Sequence, residues 1–158
     1  MSSQQDLSNI ARSIIDSILY MVLGTTNESG QPWVSPVYFS SEKYKEFYWM
    51  SSPDLTHSRN ILVRPRISIV IFDSRIPVGM GQAVYMSAVA EELAGADLDR
   101  GLQIYNGRFR NPTEHGVRVI SPEDVQATAL YRLYRATAQE HWVLDPAGHP
   151  DHRISVTV

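Results

Sequence analysis

Residues 129–145, ALYRLYRATAQEHWVLD, alternate large apolar with polar side chains. That period of two marks a strand with one face buried. Six more segments read the same way: YMVLGTT (20–26), WVSPVYFS (33–40), EFYWMS (46–51), RISIVIFDS (66–74), GQAVYMSAVAEEL (81–93) and HRISVTV (152–158). NESG at 27–30 is a hairpin turn, and RIPVGMG separates the fourth strand from the fifth. Helical spacing is confined to a few places. Leu7, Ile10, Ala11, Ile14, Ile15 and Ile18 predict an amphipathic helix over 4–18. GADLDRGLQIYNGR predicts another over 95–108, capped near Asp97, and Ser121 to Asp124 has capping-box spacing. Strand therefore follows strand, unlike the regular strand–helix alternation of a parallel sheet. The pattern predicts an antiparallel barrel with a few helices packed outside it.

At 158 residues, with no repeat, low-complexity run or linker, the chain is expected to form one domain over 1–158. The absence of cysteine excludes disulfides, iron–sulfur clusters and cysteine nucleophiles. A formal net charge of −3, with no block of more than two basic residues, argues against nucleic acid as a partner. There is no run of 18 apolar residues and no basic, apolar leader, so membrane insertion is not expected and the cytoplasm is the expected location. Serine-nucleophile elbows, P-loops and the G-x-G-x-x-G pattern are all missing.

The stretch MSSPDLTHSRNILVRPR (50–66) crowds hydrogen-bonding side chains at the start of a very short helix. Pro53 suits the first helical position, Ser52 suits the cap, and Pro65 ends the piece. The open N–H groups of a first turn favour an anion such as phosphate, with Thr56, His57 and Ser58 beside them. A capped connector is the competing reading, and Asp54 speaks for it. Pro36 removes a donor from its strand, which places it at an edge, a bulge or beside a ligand. Trp33, Tyr38, Trp49 and Trp142 are able to wall a flat ring, or simply to pack the barrel. His149 and His152 have a spacing that would allow chelation on a turn, but the Gly- and Pro-rich surroundings favour an ordinary surface turn and no metal is expected.

With these motifs in this order, the chain resembles the pyridoxamine 5′-phosphate oxidase-like family of FMN-binding split barrels, over residues 7–158. The resemblance rests on the ordered set of motifs and not on any single one. It implies a mainly β fold, an antiparallel Greek-key split barrel with peripheral α-helices. It implies FMN running along Trp33, Val34, Ser35, Pro36, Val37 and Tyr38, with Met50 and Ser51 at the ribityl and phosphate. Thr56 and His57 fall where the family has a basic pair at that phosphate, and Gln82 matches the glutamine that opens the long strand. Trp142 in EHW and Arg153 in HRISV correspond to residues that reach the flavin, here expected from the other subunit of a homodimer with the cofactor at the interface.

The departures are as informative. Tyr38 stands where the oxidase has a lysine, and His149 falls near the place of its substrate-binding arginine. The expected activity is thus an FMN-dependent oxidation or reduction of another small molecule, with no catalytic residue assigned because the flavin carries the electron chemistry. Two alternatives stay open. A deazaflavin coenzyme would need a basic groove, for which Arg59, Arg64, Arg66 and Arg75 are available, and a flavin- or haem-binding protein without turnover would need no substrate.

Overall fold

The computed structural model describes residues 3–108, 115–126, 128–145, 148 and 152–158. Helix α1 (Gln4–Ser17) leads into β1 (Tyr20–Thr26), β2 (Pro32–Tyr38), β3 (Ser40–Glu42) and β4 (Glu46–Ser51). Helix α2 (Thr56–Val63), β5 (Arg66–Phe72), β6 (Ala83–Glu92) and α3 (Gly95–Gly107) follow, then a 3-10 turn at Pro122–Asp124, β7 (Arg132–Leu144) and β8 (Arg153–Val156). The strands form one antiparallel sheet in the order β2-β1-β5-β6-β7-β4-β3, with β8 also paired to β7. This is the mainly β half-barrel that the alternation predicts.

Strand β7 holds the sheet together because it pairs along both edges. One edge runs beside β6; the other pairs with β4 over Arg132–Thr137 and with β8 over His141–Leu144. The register against β6 shifts by one residue between Ser87 and Ala88, so Ala88 meets Ala138 while Ser87 meets Glu140. Such a bulge bends the strand and sharpens its twist. Ala138 N–H turns to the carbonyl of Lys45 at 2.8 Å, which secures the bend.

Two cores result. Met21, Leu23, Phe47, Trp49, Ile69 and Ile71 fill the barrel, and Leu7, Ala11 and Ile15 of α1 cover it. Helix α3 builds the second with Leu98, Leu102 and Tyr105 over Tyr48 and Leu133. Strand β4 is buried on both faces, since Phe47 and Trp49 point into the barrel and Tyr48 points under α3.

Three sequence expectations are corrected. The described residues form eight strands, because Ser40–Glu42 is a short strand against β4, joined to it by a turn with Lys43 and Tyr44 at positive φ. Helix α2 begins at Thr56 with Leu55 as its cap residue, and no side chain caps it. Pro53 instead opens a turn in which Leu55 N–H donates to Ser52 O at 3.2 Å, the position where a preset φ suits a turn equally well. The cap of α3 is Ala94, with Asp97 inside the first turn. The capping boxes at Ser3–Asp6 and Ser121–Asp124 both form. Replacing Phe47 with alanine should cost about 3–5 kcal/mol by leaving a cavity in the barrel. Urea unfolding measures it, and a loss below about 1 kcal/mol would show that the strand is not held on both sides.

Candidate functional site

The expected site residues fall in two places, set by the alternation along β2. Ser35 and Trp33 point to the side where α2 packs; Val34 and Pro36 point to the opposite face. Helix α2 is fixed against β1 by Ile61 in the barrel core and by Asn60 Nδ2, which donates to Thr25 Oγ1 at 3.0 Å. That docking swings His57 inward between the ends of β2 and β4. Its Nδ1 lies 3.1 Å from Ser35 Oγ and its Nε2 lies 2.8 Å from Ser51 Oγ. Trp33 Nε1 donates to the same Ser35 Oγ at 3.0 Å. His57 is 5% exposed and Ser51 4%, whereas Ser35 is half-buried.

Burial holds the His57 imidazole below its ordinary value, and no carboxylate partner offsets it. The ring is therefore neutral at neutral pH, in contrast to the cationic role of the family's basic pair. Thr56 is exposed at the start of α2, whose first-turn N–H groups have no side-chain cap.

On the other face a groove of ≈ 570 Å³ crosses the sheet from β2 to β8. The register lays its floor as rows. Tyr85 is flanked by Val70 and Trp142, and Val22 lies beyond Val70. The next row runs from Val34 through Gly24 to Ser68. A Cβ on Gly24 would lie 2.6 Å from Ser68 Oγ, so a side chain there would require the Ser68 hydroxyl to turn away. Arg153 supplies the groove's cation, its guanidinium stacked 4.1 Å from the Tyr85 ring centre. Tyr85 was not singled out by the sequence. Its place in the alternation of β6 beside Trp142 was the only available signal.

The remaining expected residues sit elsewhere. Val37 faces the barrel core. Tyr38 and Met50 pack on the second core, Tyr38 edge-on to Tyr105 at 5.7 Å and close to the Arg108 guanidinium. Gln82 precedes β6, and its Oε1 is buried with no hydrogen-bond partner among the described residues. Pro36 lies on an edge strand, as its missing donor requires. His149 lies outside the described residues, and His152 Nε2 is 3.1 Å from Asp145 Oδ2. No group of three metal-ligating side chains occurs among the described residues. No described helix is long and apolar enough to cross a membrane.

His141 is likewise held below its ordinary value by burial, which outweighs its contact with Tyr44 O at 2.8 Å. Two depressed histidines set the sign of the pH dependence. Below about pH 6.5 the unfolded chain takes up protons that the folded chain refuses, so stability is fully present above that pH and falls on acidification. Urea unfolding between pH 7.5 and 5 should show this fall, and His57→Gln should flatten it. A wild-type profile that does not change would contradict the neutral, buried assignment.

The pyridoxamine 5′-phosphate oxidase family matches residues 9–145. No curated protein matches the chain by sequence. Among solved structures, a heme binding protein from Mycobacterium smegmatis aligns at 19% identity with a TM-score of 0.70, covering 99% of this chain and 59% of that one. HutZ, the heme storage protein of Vibrio cholerae, aligns at 17% identity and TM-score 0.64, over 84% of this chain and 90% of its own. An F420 reductase aligns at 15% identity and TM-score 0.58, over 83% and 94%. At these identities the likeness is one of fold, and the chain spans about three-fifths of the mycobacterial protein's length. The ordered motifs, the antiparallel split barrel and a match over most of the chain lead to one conclusion: this protein belongs to the pyridoxamine 5′-phosphate oxidase family.

Proposed function

We propose that the protein binds FMN and acts as an oxidoreductase on a small molecule other than pyridoxamine 5′-phosphate. The observation that carries this reading is the apolar groove with one guanidinium, without a carboxylate partner among the described residues, beside an aromatic row. Its volume is in the range of small-ligand sites. Trp142 and Tyr85 offer flat faces to a ring system, and Arg153, with no carboxylate partner among the described residues, offers planar donors to its polar edge or phosphate. The orphaned Oε1 of Gln82 is a buried acceptor of the kind that a flavin's N–H would satisfy. Bound FMN would supply hydride and single-electron transfer. The chain's own part is to hold the ring, place donors at its edges and exclude water.

A homodimer completes this reading. Ser35 and the groove lie on opposite sides of β2, so one chain does not present both to a single ligand. A second copy seated on the outer sheet face and reaching past the free edge of β2 would bring the partner's Trp142 and Arg153 to the Ser35 side. That face is apolar where a solvent-facing sheet would normally be polar: Val34 is 69% exposed, and Val22, Pro36 and Val70 continue the patch.

The competing cofactors find less support. A deazaflavin's acidic tail would need several free cations, yet of the four arginines in that vicinity Arg75 chelates Asp73, Arg64 donates to Glu28 O and Arg59 lies 3.6 Å from Asp54, which leaves Arg66 alone without a carboxylate partner among the described residues. At the two buried positions a haem iron would need His57 or His141 to release its protein partner, which leaves the exposed His115 and His152 as its candidate ligands among the described residues. The missing basic residues at Tyr38 and His57 argue against the substrate of the founding oxidase, since Tyr38 is packed against Tyr105 and His57 is neutral.

The purified protein should release FMN on denaturation, identified by mass spectrometry, and should scatter light as twice its 17.8 kDa chain mass. Release of a deazaflavin or of haem would overturn the cofactor assignment. A monomer holding one FMN per chain would overturn the interfacial site.

A further inference from the structure

We propose that Ser51 and His57 form a buried relay that fixes the hydroxyl of Ser35 as an outward-facing hydrogen-bond donor to the ligand's anionic group. The proposal rests on the reading that a phosphate-bearing cofactor runs along β2. It departs from the expectation that Ser51 and His57 touch that phosphate themselves.

The argument is one of hydrogen-bond direction. Four polar groups form a chain, from Trp33 Nε1 through Ser35 Oγ and the His57 ring to Ser51 Oγ. An indole N–H only donates, so Ser35 Oγ accepts from Trp33. A neutral imidazole has one N–H and one lone pair, which leaves two arrangements. If Nε2 carries the proton, it donates to Ser51, and the Ser51 hydroxyl hydrogen then has no acceptor among the described residues. Ser51 is 4% exposed, so that hydrogen would be stranded away from water. Ser35 would meanwhile donate to Nδ1 and turn only lone pairs toward solvent, a face that repels anions.

If Nδ1 carries the proton, every donor among these four groups that is buried is satisfied. Ser51 donates to Nε2, Nδ1–H donates to Ser35, and Ser35 Oγ accepts twice. The Ser35 hydroxyl hydrogen is then left uncommitted, on a residue that is half-exposed. A doubly protonated ring would again strand the Ser51 hydrogen, and would bury a charge as well. The geometry selects the Nδ1–H tautomer and makes Ser35 a donor. Ser51 and His57 are thus positioning residues that act through Ser35.

Long-range ¹H–¹⁵N NMR on histidine-labelled protein without added cofactor reads the tautomer directly. Nδ1 of His57 is expected to be the protonated nitrogen, and a proton on Nε2 would overturn the relay whether or not FMN binds. FMN titration of the variants tests the consequence. Ser35→Ala should weaken FMN about tenfold or more, as loss of a hydrogen bond to a charged group does. Ser35→Thr should retain most of the affinity. Ser51→Ala should weaken FMN as well and shift the His57 tautomer, although residue 51 is buried. Unchanged affinity in Ser35→Ala would remove Ser35 as the donor. Failure of the wild-type protein to bind FMN would count against the proposed function, while the tautomer would still decide the relay.

Discussion

Strand β7 is the constraint on which the other elements depend. Its thirteen residues pair with β6 along one edge and with β4 and then β8 along the other, so three strands keep their places through it. The bulge beside Ser87 and Ala88 lets so long a strand bend with the barrel and still satisfy its backbone. Because β4 is pinned between β7 and β3, with Phe47 and Tyr48 buried on opposite faces, Ser51 at its end is held at a fixed height. Helix α2 starts five residues later and inherits that position. The placement of His57 between Ser51 and Ser35 is therefore a consequence of strand pairing, and not of the local sequence around the histidine.

Most of the architecture was legible because the alternation is strong where one face of a strand is buried. Strands β1, β5 and β6 alternate buried with more exposed residues along their length, and α1 carries its apolar stripe as spaced in the sequence. Strand β3 left no such signal, being three residues long and polar. Its turn uses positive φ at Lys43 and Tyr44, residue types that do not announce that conformation. The start of α2 was misread because Pro53 serves a turn and a first helical position equally well.

The candidate site was legible as a set of residues and not as an arrangement. Ser51 and His57 were expected at the phosphate and Ser35 along the flavin, but their convergence depends on β2 and β4 being brought together through the sheet. The same convergence that places His57 there also buries it, which removes the charge that a phosphate contact would have used. Tyr38 and Met50 show the opposite outcome, being drawn under α3 by Tyr105 and its neighbours. The groove on the outer face followed from no motif. It emerges from the register that lines up Val70, Tyr85 and Trp142.

The central claim is that one cofactor is held by Ser35 of one chain and by Trp142 and Arg153 of the other. Mixing subunits of Ser35→Ala and Trp142→Ala, each first shown to bind FMN poorly, tests it most directly. Random exchange would give one intact site in each heterodimer, so FMN binding should return to about a quarter of all sites. Demonstrated subunit exchange with no recovery of FMN binding would contradict the account.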